Sequence, residues 1–488
     1  MFSKLCDNKS NYGNLIGGKW QPSKSGKIIS IVSPLDGQLV GTVPAMSAQE
    51  VDEVIDIARK TQKSWGAVPV NKRSEILLKA ADILEREADK LADILLLEIA
   101  KDKKSALSEV TRTADFIRFT ADAVKNLTGE SIPGDSFPGF DRDKIMVVAR
   151  EPLGVVLAIS PFNYPINLAA SKIAPAIAAG NTVVAKPATQ GCISTLHLAK
   201  VFEEAGVPDG VLNTVTGRGS EIGDYIVRHR GIDFINFTGS TEVGQHIASL
   251  ISMKPYLMEL GGKDAAIVLE DCDMDLTVNN IVSGAYSYSG QRCTAVKRIL
   301  VMESIADELV KRLKVKIEKI SFGNPLEKPD AVVVPLINSG AAEYVSELMV
   351  DAKQKGAELV TGGKREGNVI SPALFDKVST DMRLAWEEPF GPVLPVIRVK
   401  SYDEAIDIAN KSEYGLQSAV FTQDINKAFY VAERLEVGTV QINNKTERGP
   451  DHFPFLGVKS SGLGTQGIKY SIEAMSRPKA IVINLKRS

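Results

Sequence analysis

Two short glycine-bearing segments, Glu259-Leu-Gly-Gly-Lys263 and Gly290-Gln-Arg-Cys293-Thr294, hold the residues best suited to chemistry. A cysteine thiolate can attack an aldehyde carbonyl and keep the acyl group as a thioester, and a carboxylate in an enclosed site can activate the water that hydrolyses it. The chain has four histidines, and His197, His229 and His246 fall in surface-type helical patterns. His452 alone sits near a candidate site segment, where a substrate-loop role fits better than a catalytic one, so a histidine dyad is not expected. Each of the two residues also has a plainer reading. A lone cysteine is more often a small buried hydrophobe, and Glu259 could simply pair with Lys263 or Lys254. Arg292 beside Cys293 raises the local positive potential and favours thiolate, while burial would act against it. Cys192 and Cys272 read as packing residues and Cys6 as part of a loose N-terminal stretch.

These segments must be carried by a large framework. The chain has 488 residues, 44% hydrophobic and 24% charged, enough for roughly three domains. A net charge of −2 gives no general basic field, so nucleic acid and anionic membrane are poor partners and any anion must be caught locally. Four scattered cysteines make no metal cluster, so no metal is expected, and reduced thiols suit a cytoplasmic protein. The opening Met1-Phe-Ser-Lys-Leu-Cys-Asp lacks a leader pattern, and the apolar stretch 153–185 is broken by Pro161, Asn163, Pro165, Lys172 and Pro175.

Ser47-Ala-Gln-Glu50 reads as a capping box before a helix, and a second helical pattern runs over about 72–99. From about 153 the pattern changes to short β-branched runs between helices, at 153–159, 181–185, 211–215 and 233–237. That alternation predicts a parallel sheet with helices on both faces. A second alternation follows Glu259, with strands expected at 265–269, 297–302, 393–399 and 419–421. The stretch from Gly129 to Arg142 interrupts both patterns, and Lys479 to Leu485 reads as an edge strand.

Four further segments appear in order around the first two: Pro161-Phe-Asn163-Tyr164-Pro165, Lys186-Pro-Ala-Thr189, Phe237-Thr-Gly-Ser-Thr-Glu242 and Glu387-Glu-Pro-Phe-Gly-Pro392. On these six the chain resembles the aldehyde dehydrogenases over nearly all of its length. A narrower layer, Arg112, Tyr164, Arg292 and Arg448, is similar to the non-phosphorylating, NADP-dependent glyceraldehyde-3-phosphate dehydrogenases. The resemblance implies an α/β fold, aldehyde-dehydrogenase-like, with two parallel-sheet α/β domains and a small β oligomerisation segment. It implies a cofactor-binding domain from 1–127 and 148–258, a catalytic domain at 259–440, and oligomerisation and substrate-loop segments at 128–147 and 441–488. In the resembled family the segments around 129–142 and 479–485 pair between subunits, which points to a homotetramer built as a dimer of dimers.

For the cofactor, the strand end at Phe237 opens through Gly239 and Ser240 into a helix, whose free N–H groups and dipole suit a pyrophosphate. Gly217-Arg-Gly219 comes at a comparable strand end. Alone, either glycine group reads first as a plain strand-to-helix turn. Many NAD-using relatives carry Glu where this chain has Thr189, and a carboxylate there would repel a 2′-phosphate. Thr189 with Lys186 therefore selects NADP, with NAD a weaker alternative. The plainer reading makes Thr189 the cap of the helix near Cys192. Glu388 and Phe390 match family positions that grip the nicotinamide ribose and pack near the ring, although a glutamate beside a proline turn is usually solvated.

Asn163 is expected to donate, with the Cys293 N–H, to the oxygen of the tetrahedral adduct. Taken alone, it reads as a residue of the turn between the two prolines, and the other five segments reverse that reading. Arg112, Arg292 and Arg448 match anion-binding positions, with Tyr164 and Thr294 in the same pocket, since guanidinium meets phosphate or carboxylate through paired hydrogen bonds. Singly, each arginine reads as a solvated or ion-paired surface group. Pro450, Asp451 and His452 are a local variant of the loop after Arg448, and Gln466 stands where many relatives have Glu. The expected activity is irreversible oxidation of glyceraldehyde 3-phosphate to 3-phosphoglycerate. Two alternatives stay open: succinic semialdehyde or another small acidic aldehyde as substrate, and a non-catalytic structural or binding protein of the same fold.

Overall fold

The computed structural model describes residues 5–7 and 9–485. The first four residues of the segment read for a leader lie outside the described residues. Among those described, no helix is long and apolar enough to cross a membrane.

The capping box forms as read. Ser47 accepts from the Glu50 N–H and Glu50 accepts from the Ser47 N–H, opening the helix Ala48–Gly66. Its Val51, Val54, Ile55 and Ala58 turn inward. The helical pattern over 72–99 is not one helix but two, Val70–Arg86 and Ala88–Ile99. They part at Glu87, whose carboxylate is taken by Arg86 and Lys90. Ala100 is left-handed, with φ 54°, and ends the second helix. Asp102 then caps Lys103–Ala123 by accepting from the Ser105 N–H at 2.9 Å.

The first sheet orders its strands as Gly462–Leu463, Tyr256–Glu259, Phe234–Thr238, Val155–Ser160, Thr182–Pro187 and Leu212–Thr214. All neighbours pair in parallel except Gly462–Leu463, which runs antiparallel along Tyr256–Glu259. Val155 and Leu157 pack into one core layer, while Val156 and Ala158 pack into the other. A strand covered on both faces has no polar alternation to show, which is why these elements read as continuous apolar runs. The helix Asn167–Ala179 is buried on every side.

The second sheet has seven strands, ordered Glu358–Thr361, Ala373–Asp376, Val393–Val399, Arg298–Met302, Ala265–Val268, Gln417–Phe421 and Thr439–Ile442. Its first pair is antiparallel and the rest parallel. Ala265 and Ile267 face one apolar layer, Ala266 and Val268 the other. Three further strands, Ser476–Asn484, Lys144–Pro152 and Glu130–Pro133, form a separate antiparallel sheet with Ser476–Asn484 at its edge. The strand read at Lys479 thus begins three residues earlier, at Ser476. The helix Ile468–Ala474, just before it, packs its Ile468 and Ile472 into the core layer of Val156 and Ala158.

Two placements differ from the sequence reading. His197 is buried rather than on a surface helix, because the helix Cys192–Glu204 is enclosed along most of its length, and its ring meets Tyr12 edge-on. Cys6 is not in a loose stretch, since it bridges to Tyr12 in a short antiparallel pairing. The four cysteines are all unpaired, with Cys192 buried and Cys272 half-buried.

Candidate active site

Glu259 ends the strand Tyr256–Glu259, and Cys293 precedes the strand Arg298–Met302. The chain crosses from one sheet to the other through Leu260–Asp264. A Cβ at Gly261 would fall 2.3 Å from Glu388 Oε2, and one at Gly262 would fall 3.1 Å from the Cys293 carbonyl oxygen. The two glycines let this backbone pass between the Glu388 and Cys293 segments.

The Cys293 segment is built on strain. Tyr288 (φ 50°) and Ser289 (φ 58°) are left-handed, and such residues cost of order 1–3 kcal/mol each unless their surroundings hold them. Ser289 Oγ exchanges two hydrogen bonds of 2.7 Å with the Val334 backbone. Gly290 follows at φ 69°, where a Cβ would meet the Gly391 carbonyl oxygen at 2.6 Å. Cys293 lies in a recess, part of its surface open yet surrounded by protein. Burial pushes its thiol up to about 11, with Lys297 opposing and Asp264, Glu388 and Glu259 adding. The cation that favours thiolate is therefore Lys297, whose Nζ donates to the Cys293 carbonyl and pairs with Glu388 at 3.0 Å. Arg292 does not serve that purpose, because its guanidinium turns away to donate to the Gly284 carbonyl.

Glu259 is buried, and neither carboxylate oxygen has a hydrogen-bond partner. The ion-pair reading fails: Lys254 donates to the Val227 and His229 carbonyls, and Lys263 to that of Glu387. Burial raises Glu259 to about 8, against the pull of Arg448 and Lys172. Lys172 escaped the sequence reading as a site residue. It is buried in Asn167–Ala179, donates to Thr238 Oγ1 at 2.7 Å, and feels Arg448, Glu259 and Cys293. Burial lowers it to about 7. A lysine in a helix with no other charged residue was the available signal.

Asn163 sits between the prolines as a turn residue would, yet its amide donates to the Gln291 carbonyl at 2.9 Å, two residues before Cys293. The structure thus brings Asn163 to the Cys293 loop. Thr294 is buried, and its carbonyl accepts from Thr446 Oγ1 at 2.9 Å, tying that loop to the segment before Arg448.

For a dinucleotide, the fit can be tested on the residues themselves. Lys186 is buried with one acceptor, the Gly217 carbonyl at 3.3 Å, so its ammonium keeps donors for an anion. Burial lowers it to about 8. A Cβ at Gly219 would meet nothing within 4 Å, which leaves open space beside this lysine's acceptor segment. Thr189 does not cap Cys192–Glu204: Gly191 occupies that position, and the Ile193 and Ser194 N–H groups go to the Glu98 carboxylate at 2.8 Å each. Thr189 is left half-buried at the strand exit. Ser240 caps Thr241–Leu250, and the Gly239 N–H donates to the Glu259 carbonyl at 3.2 Å. Glu388 is not solvated, since its side chain is 16% exposed and accepts from the Gly262 N–H. Phe390 is left-handed at φ 45° and meets the Phe162 ring edge-on at 5.9 Å. Among the described residues, no group of three or more metal-ligating side chains occurs.

The arginines separate. Arg112 is bidentate to Asp451, at 2.6 and 2.9 Å, and also donates to the Arg448 carbonyl. Three of its five N–H donors are thereby used, leaving the two on Nη1. Arg448 stands 3.5 Å from Asp451 and 5.0 Å from the Phe455 ring centroid, with a 12% exposed side chain. It borders a cavity of about 320 Å³ lined also by Gln417, Glu447, Asp451 and Phe453. Arg448 is the arginine whose charge reaches Glu259. Tyr164 lies near Arg112 and is half-buried. His452 stacks on Phe119 at 6.0 Å and meets the Phe453 ring edge-on at 4.7 Å. Gln466 is buried, with an unpartnered Oε1.

Residues 20–481 match the model of the aldehyde dehydrogenase family. The chain is 58% identical to an NADP-dependent glyceraldehyde-3-phosphate dehydrogenase of Streptococcus equinus, over 98% of this chain and 99% of that one. It is 51% identical to one of Pisum sativum, over 96% and 94%. A crystal structure of the NADP-dependent glyceraldehyde-3-phosphate dehydrogenase from Bacillus halodurans, complexed with NADP, superposes with a TM-score of 0.96. It is 52% identical and covers 98% of this chain and 100% of that one.

Proposed function

The chain belongs to the aldehyde dehydrogenase family, and from that premise we propose that it oxidises glyceraldehyde 3-phosphate to 3-phosphoglycerate with NADP. The observation that carries the chemistry is the pairing of an enclosed cysteine with a buried carboxylate, Glu259, whose oxygens no protein group occupies. The substrate rests on Arg448 and on full-length relatives whose names specify it.

Cys293 reacts as its thiolate, its proton released to solvent, and its sulfur bonds to the aldehyde carbon as the carbonyl π pair moves onto oxygen. The Asn163 amide and the Cys293 N–H hold the oxygen as it becomes an oxyanion. NADP, when bound, supplies the hydride acceptor. The hydrogen on that carbon leaves with its bonding pair as the oxyanion re-forms the carbonyl, which leaves a thioester on Cys293. Glu259 takes a proton from water, the water oxygen bonds to the acyl carbon, and the carbon–sulfur bond breaks to return the Cys293 thiolate. Hydrolysis without an acyl phosphate makes the reaction irreversible.

In this reading Lys186 and Thr189 receive the 2′-phosphate, Gly219, Gly239 and Ser240 flank the pyrophosphate, and Glu388 and Phe390 serve the nicotinamide end. Arg448 with Arg112, Arg292, Tyr164 and Thr294 forms the substrate pocket. The pairing of Arg112 with Asp451 favours a second reading, in which a singly charged carboxylated aldehyde such as succinic semialdehyde is preferred. Inhibition by glycerol 3-phosphate but not by succinate supports the phosphate pocket, and the reverse supports the second reading. Single turnover of Cys293→Ala with undiminished NADPH formation would overturn the mechanism.

The division into 1–127 with 148–258, 259–440, and 128–147 with 441–488 belongs to the same proposal. So does a homotetramer: Ile481, Val482 and Ile483 are 55%, 52% and 43% exposed on an edge strand, a surface that another chain can cover. A reducing, cytosolic setting suits the unpaired cysteines.

A further inference from the structure

Lys101 and Glu109 lie in no segment that the sequence singled out, and neither has a role above. Both side chains are 0% exposed, and their ion pair closes at 2.5 Å. Taking two charges out of water is costly, and apolar side chains of similar volume often serve stability as well. What the pair holds is therefore the informative question.

Lys101 Nζ donates to the main-chain carbonyl of Asn163 at 2.6 Å. The same ammonium stands 3.5 Å from the centroid of the Tyr164 ring and 4.4 Å from that of Tyr288. An ammonium has three donors: one meets Glu109, one meets Asn163, and the aromatic faces accommodate the charge that remains. Glu109 accepts from the Ile166 and Asn167 N–H groups at 2.9 and 3.1 Å, where the helix Asn167–Ala179 begins. Residues 163–167 are thus held at both ends by one ion pair. The Tyr288 hydroxyl donates to the Ile99 carbonyl at 3.2 Å, and Tyr288 opens the left-handed turn that leads to Cys293. The pair touches both the Asn163 loop and the nucleophile loop.

We propose that Lys101 and Glu109 form a buried positioning pair that fixes the Asn163 amide and the Tyr164 ring relative to Cys293. This rests on the catalytic reading given above. An oxyanion donor works only from the position where charge develops, so its carrier must be rigid.

Lys101→Met alone strands a buried carboxylate and risks unfolding, so the working variant is Lys101→Met/Glu109→Gln, which removes both charges and keeps an acceptor for Ile166 and Asn167. The readout is single-turnover NADPH formation with glyceraldehyde 3-phosphate. Loss of a whole oxyanion donor costs about 10²–10³ in rate, so displacement of one should slow this step about 10- to 100-fold. Alkylation of Cys293 by iodoacetamide and the Kd of NADP should stay within about twofold, because neither needs the Asn163 amide. In an Asn163→Ala background the same pair of substitutions should add less than about threefold. The inference is overturned by a rate within about threefold of the parent, by equal losses in both backgrounds, or by a parallel fall in alkylation and NADP binding. If Asn163→Ala by itself leaves the rate within about threefold, the oxyanion role fails first and this inference falls with it.

Discussion

Glu259→Gln should separate the two halves of the proposed reaction. Burial pushes Glu259 from an ordinary 4.5 up to about 8, a shift equivalent to about 5 kcal/mol against the ionised form. At pH 7 about one carboxylate in ten is then ionised, and at pH 8 about half. Ionised Glu259 is the base, so thioester hydrolysis should rise about fivefold from pH 7 to 8 and only about twofold beyond. Glutamine keeps the shape and accepts no proton, and loss of a positioned base costs about 10²–10⁴ in rate. In stopped-flow absorbance with saturating glyceraldehyde 3-phosphate and NADP, the variant should give a burst of about one NADPH per chain, then a steady rate slower by that factor and flat with pH. A variant that turns over within about threefold of the parent, or shows no burst, refutes the assignment of Glu259 to hydrolysis.

Other outcomes follow from the same geometry. Because burial holds the Cys293 thiol up to about 11, iodoacetamide alkylation of the cofactor-free protein should quicken about tenfold per pH unit between pH 7 and 10; mass spectrometry of the Cys293 peptide would show a flat profile if the thiolate were already formed. Thr189→Glu should raise the KM for NADP by about 10- to 100-fold through repulsion of the 2′-phosphate while sparing NAD, read from initial rates. Arg448→Met should raise the KM for glyceraldehyde 3-phosphate by about 10- to 100-fold but shift that for neutral glyceraldehyde by less than about threefold. The same variant removes a charge that holds Glu259 down, so the pH midpoint of hydrolysis should move upward.

The parts of the site that were legible in the sequence are those whose chemistry is local. Cys293, Glu259 and Asn163 each sit in a short segment with its own glycines or prolines, and the parallel strands announced themselves because both faces of each are buried. What escaped depends on partners far along the chain. Asp451 lies 339 positions from Arg112, so nothing beside Arg112 hints that its guanidinium is already occupied. Lys101 reaches Asn163 across 62 positions. Arg292 misled for a related reason: adjacency to Cys293 does not fix the direction of a side chain, and it turns to Gly284 while Lys297 takes the place beside the cysteine. His197 was misplaced because a helix enclosed on most sides needs no polar face.

The central claim is tested most directly by the initial rate of NADPH formation from glyceraldehyde 3-phosphate and NADP with no inorganic phosphate, run beside succinic semialdehyde. The account predicts rapid, essentially irreversible turnover of the phosphorylated aldehyde to 3-phosphoglycerate, lost in Cys293→Ala. Turnover that requires inorganic phosphate, or activity confined to the semialdehyde, would contradict it.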